Sequence, residues 1–143
     1  MWGFSGTELC CCPTDGGNKQ DNYSTPDIDW SGYAWTQKII TAAGGKENLN
    51  ATESGYPATY YAVVDYETKV KAPTNSSGWF LPSIGQMWNV YQNRTSLFDG
   101  KTGVSGLQWD WYWSSSESYY DPASDALYVL SLIHISEPTR LCM

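Results

Sequence analysis

Ser83, followed three residues later by Gln86 and directly preceding an apolar stripe, is the feature that most constrains how this chain folds. A serine in that position accepts a backbone N–H of the first turn. The glutamine reaches back to the serine's own N–H, so the pair marks where a helix begins. Ile84, Met87, Trp88 and Tyr91 then recur at i, i+3, i+4 and i+7, which predicts an amphipathic helix over 84–92 with Asn93 at its C-terminal end. Pro82 sets φ just ahead of the cap. A second helix is predicted over 31–43. Ser31 stands at its start, Trp35, Ile39, Ala42 and Ala43 share a face, and Gly44-Gly45 ends it.

Elsewhere the period changes from 3.6 to two. Trp109-Asp110-Trp111-Tyr112-Trp113 alternates, placing its three tryptophans on one face of a strand that continues through Ser114-Ser115-Ser116-Glu117. Ala126 to Val129 reads as another strand. Tyr60 to Tyr66 is a strand by composition, with Ala62, Val64 and Tyr66 on one face and Tyr61, Val63 and Asp65 on the other. The stretches 1–29, 44–58, 71–78, 94–107 and 119–124 read as loops. Short helices among short strands, with no internal repeat, predict one α+β domain.

Composition excludes several classes. With 8 basic against 15 acidic residues the net charge is −7, and phosphate contacts need clustered Lys and Arg, so no nucleic-acid partner is expected. No apolar run approaches the ~20 residues of a membrane span. The aromatic count is high: 8 Trp, 11 Tyr and 3 Phe. Cys10, Cys11 and Cys12 are consecutive, unlike the spaced pairs that converge on zinc. Four Asn-x-Ser/Thr sequons, at Asn22, Asn50, Asn75 and Asn93, carry little weight in polar loops.

The ends are read separately. Residues 130–140, Leu-Ser-Leu-Ile-His-Ile-Ser-Glu-Pro-Thr-Arg, coincide with the translation of a transposase-end sequencing adapter, so 130–143 is expected to be a non-native tail and is set aside. That removes the only histidine, His134, and with it any Cys–His pair for nucleophilic catalysis. Met1-Trp2-Gly3-Phe4 lacks the basic and apolar regions of a secretion signal, which implies a cytosolic protein or a lost start.

Gly78-Trp79-Phe80-Leu81-Pro82-Ser83 with its helix, then Tyr112-Trp113-Ser114-Ser115-Ser116-Glu117, then Ala126-Leu127-Tyr128-Val129, together resemble a bacterial family. It is the C-type-lectin-fold surface domain found at the C-termini of fimbrillin-like proteins (the Lcl C-terminal domain family). The resemblance runs over roughly residues 28–129 in the same order. It departs at Trp35, where members often carry a small polar residue before Thr36. It also departs after the last strand, where closing strands are expected. The implied organisation is a loop-rich segment 1–28, a truncated C-type-lectin-like domain 29–129, and the tail.

The resemblance implies a ligand-binding or adhesion domain of a bacterial cell-surface protein, taking glycan or protein, or else a structural subunit or tip domain of a fimbria-like assembly. Neighbouring domains of a longer protein are expected in either case. Trp109, Asp110, Trp111, Tyr112, Tyr119, Tyr120, Asp121 and Asp125 are the candidate ligand residues. Aromatic faces stack on sugar rings, and carboxylates accept hydroxyl hydrogen bonds or hold Ca²⁺. Trp111 fits a core role equally well. The Glu-Pro-Asn and Trp-Asn-Asp motifs of calcium-dependent lectins are absent, so no metal or cofactor is expected. Trp79, Leu81, Pro82, Ser83, Trp113, Ser114 and Glu117 are assigned to structure, the serines and Glu117 by tying down loop amides. No catalytic residues are expected. The late cysteines of the related formylglycine-generating fold are missing, and Asp65, Glu67, Asp110 and Glu117 form no recognisable glycosidase pair.

Overall fold

Gly44 and Gly45 end the first helix as their sequence predicts. In the computed structural model, which describes residues 6–102, 106–108, 110–123 and 125–130, both have positive φ, and their N–H groups bond back to Thr41 and Ile40. That is the Schellman pattern, which satisfies the last carbonyls of a helix. In chain order the elements are β1 (Thr14–Asp15), β2 (Asn18–Lys19), α1 (Gly32–Ala42), α2 (57–69), α3 (Ile84–Gln92), α4 (Arg94–Phe98), β3 (Trp111–Glu117) and β4 (Ala126–Leu130). The described chain is thus α+β. β1 pairs with β2 and β3 with β4, both antiparallel. None of the described helices is long and apolar enough to cross a membrane.

The capping box forms as read, with the Ser83 N–H donating to Gln86 Oε1 at 2.9 Å. The Ser83 hydroxyl has a further task, donating to the Asp29 carbonyl. α1 buries Gly32, Trp35, Thr36 and Ile39, whereas Ala42, expected inside, is exposed. Ser31 occupies the cap position without a side-chain cap bond.

The predicted strand over 60–66 is instead helix. α2 consists of Pro57–Tyr60, a π-helical turn Tyr61–Asp65, and Tyr66–Lys69. Tyr56 takes a left-handed φ of 52° and hands the chain to Pro57, whose locked φ suits a first helical position. Strand preference spans only ~1 kcal/mol and yields to burial. Helical spacing sends Thr59 and Val63 into the core and leaves Tyr61 and Tyr66 exposed. The loop predicted over 94–107 also holds one short helix, α4. The strand start expected at Trp109 lies outside the described residues.

The core has two parts flanking β3. Cys11, Trp35, Ile39, Leu49, Tyr56, Val63 and Leu81 form one. Ile84, Met87, Leu127 and Val129 form the other, with Tyr112 and Tyr91 packed against it. Between Trp113 and Glu117 the β3–β4 register slips, so the ladder alone does not satisfy the backbone there. The serine run takes over. Ser114 Oγ donates to the Leu127 carbonyl at 2.7 Å, Ser116 Oγ accepts the Ile84 N–H at 2.9 Å, and the Ser115 N–H reaches the Pro82 carbonyl at 2.8 Å. All three serines are fully buried.

Candidate functional site: an aromatic groove on the α2–β3 face

α2 presents Ala58, Tyr61, Ala62 and Tyr66 along one side. The segment 79–82 lies beside it, and β3 contributes Trp111, Tyr112 and Trp113. Together they line an open groove of about 710 Å³, within the range of ligand pockets. Tyr61 and Tyr66 are 55% and 42% exposed and Trp111 is 45% exposed, so the rings are on offer to a partner. Among the described residues, no charged side chain lines the groove.

The rings are held edge to face, which aromatic quadrupoles favour. Tyr66 meets Trp79 at 5.0 Å between centroids. Trp111 and Trp113 share a face of β3, as the period-two reading requires, and both pack on Tyr128 of β4, at 4.7 and 5.0 Å. Trp79 is fixed further by its indole N–H, which donates to the Val70 carbonyl at 2.7 Å. The Tyr112 hydroxyl receives the Gln108 N–H at 2.8 Å while its ring packs on the second core cluster. Of the residues read as core, Leu81 is buried, but Trp79 and Trp113 are only partly so, because each gives one side to the groove.

The predicted ligand residues therefore divide. Trp111 and Tyr112 lie in the groove, and Asp110 beside it is exposed. Trp109 lies outside the described residues. Tyr119, Tyr120, Asp121 and Asp125 lie beyond the far end of β3, which runs roughly 20 Å from Trp111 to Glu117 at ~3.3 Å per residue. There Tyr120 meets Tyr119 at 5.1 Å and Tyr23 at 5.6 Å, and its hydroxyl donates to Asp21 at 3.0 Å. Asp121 and Asp125 are exposed and joined through their backbones, with the Asp125 N–H on the Asp121 carbonyl. Among the described residues no three His, Cys, Asp or Glu side chains are grouped to hold a metal ion. Tyr61, Tyr66 and Phe80 were not anticipated. Read as a helix, Ala58, Ala62 and Tyr66 at i, i+4 and i+8 would have revealed that face.

Glu117 is fully buried and touches no surface. Its carboxylate accepts the Leu9 N–H at 2.6 Å and the Cys11 N–H at 2.8 Å. Burial pushes its carboxyl above the ordinary value, with the two N–H donors pulling the other way. Asn22 completes the latch. Its amide donates to Asp29 Oδ2 and the Glu117 carbonyl, and its oxygen accepts the Tyr119 N–H. Complete burial of Asn22 also makes that sequon inaccessible in the folded chain. Compared with known proteins, the chain matches no family model, no curated protein and no solved structure.

Proposed function

We propose that this chain is a binding domain of a bacterial surface protein, of C-type-lectin-like type, which holds a neutral glycan against the aromatic groove. The observation that carries the reading is the convergence of Tyr61, Tyr66, Trp79, Phe80, Trp111 and Trp113 on one open face. Exposed rings of this kind stack on the apolar faces of sugar rings, and a patch this apolar on a small domain marks an interaction site. Neutrality follows from charge: a chain of −7 with no basic residue among the described residues of the groove repels acidic polymers.

A glycan array with the full chain tests this. Neutral glycans bind, and Trp111→Ala or Tyr61→Ala weakens them roughly tenfold, the equivalent of ~1.4 kcal/mol per ring. A blank array refutes it. The second reading, a structural subunit of a fimbria-like assembly, is favoured by the scarcity of polar groups in the groove, which suits a neighbour's apolar side chains. Self-association abolished by Trp111→Ala, alongside a blank array, would establish that alternative.

A further inference from the structure

A second concavity of about 370 Å³ lies away from the groove and differs from it in chemistry. One wall is the turn 23–27 and the other is α3, whose Trp88 and Gln92 stand at i and i+4 on one helical face. We propose that this pocket binds a single neutral, hydroxyl-rich ring such as a pyranose, independently of the groove.

The turn is held rigid by Asp21. Its carboxylate accepts the N–H groups of Tyr23 and Ser24, at 3.1 and 2.9 Å, and the Tyr120 hydroxyl at 3.0 Å. The two walls are pinned together at Gly85, whose N–H donates to the Asp29 carbonyl at 3.0 Å. A Cβ at Gly85 would lie 2.6 Å from the Pro26 carbonyl oxygen, so only glycine permits this approach. Trp88 stacks on Tyr91 at 5.6 Å with the rings 23° apart, which fixes the indole plane.

Within this frame the Asp27 carboxylate, the Thr25 hydroxyl and the Gln92 carboxamide make no hydrogen bond or ion pair among the described residues. They supply acceptors and donors around an aromatic plane. A sugar ring needs that combination, with one apolar face to stack and a rim of hydroxyls to pair. No Lys or Arg among the described residues lines the pocket, which disfavours an anion. Asp21 is already committed to the turn, which leaves one carboxylate to meet a cation.

The test is a ¹H–¹⁵N NMR titration of the full chain with methyl glycosides of glucose, galactose, mannose and N-acetylglucosamine, with choline as the cationic control. At least one glycoside shifts the Trp88 indole N–H and the Gln92 side-chain amide saturably, with a Kd of about 1–10 mM as a single ring with few contacts would give. Asp27→Asn and Gln92→Ala, both at exposed positions, each weaken it at least about fivefold, and Trp88→Ala by roughly tenfold or more. Trp111→Ala leaves it unchanged, which separates this site from the groove. A blank glycan array with these shifts intact would refute the groove reading and leave the pocket standing. No saturable shift by any glycoside, a response to choline alone, or binding insensitive to Asp27→Asn and Gln92→Ala would overturn the proposal.

Discussion

Replacing Glu117 with Gln tests the polar latch at nearly constant volume, so no cavity term enters. The carboxylate uses both oxygens, one on the Leu9 N–H and the other on the Cys11 N–H. Gln offers one oxygen and turns an NH₂ toward the second donor. One buried N–H is left facing another donor, a loss of about 1–3 kcal/mol, and the surviving bond loses its charge assistance, about 1 kcal/mol more. Gln in turn escapes the cost of burying a charge, the effect that raises the Glu117 carboxyl, so the net loss expected at neutral pH is about 1–2 kcal/mol. In a chain of this size that lowers the midpoint of thermal unfolding by about 5 °C. Urea unfolding followed by tryptophan fluorescence measures it, with the slope m unchanged if the native state is intact. The pH dependence adds a second readout. Burial raises the Glu117 carboxyl in the folded state. Its proton-linked contribution is therefore full below the unfolded value of about 4.5 and is lost as pH rises through the folded value. The gap between wild type and the Gln variant, which cannot titrate there, should narrow as pH rises through that window. A loss under about 0.5 kcal/mol would refute the view that this carboxylate ties the 9–11 segment to β3.

Other substitutions probe separate features. Thr59 Oγ1 is the buried side-chain polar atom without a partner among the described residues. Thr59→Val should raise stability by about 1 kcal/mol in the same urea assay, and destabilisation would mean the hydroxyl is satisfied. Gly85→Ala forces its Cβ against the 26–29 turn and should cost about 1–3 kcal/mol despite the better helix propensity of Ala. An unchanged urea midpoint would show that α3 can shift away freely. In thiol labelling of the native protein Cys10, which is exposed, reacts first. Burial raises the Cys11 thiol far above the ordinary range and, helped by the charge on Asp29, pushes Cys12 up to about 11, so both should label only on unfolding. Equal labelling of all three by mass spectrometry would contradict that packing.

The sequence by itself determined the parts of the fold whose signals are local. A capping box spans four residues, a Schellman end turns on one left-handed residue, here Gly44, and period-two tryptophans need one strand. α3, the end of α1 and the shared face of Trp111 and Trp113 were legible for that reason. Net charge, which bears on the kind of partner, is also a property of composition alone. Tertiary structure decided the rest. Residues 60–66 carry strand formers, but each such preference spans only ~1 kcal/mol and depends on context, and the helix buries Val63 in the core instead. That single choice turned Tyr61 and Tyr66 outward and built the groove. The partners of Glu117 stand 108 and 106 residues away in the chain, beyond any spacing rule. The polar pocket, too, exists only because Gly85 lets α3 close on a turn some 60 residues earlier, as roughly counted along the chain. Local rules name the elements, and the burial of surface shared between distant segments sets which faces are left for a ligand.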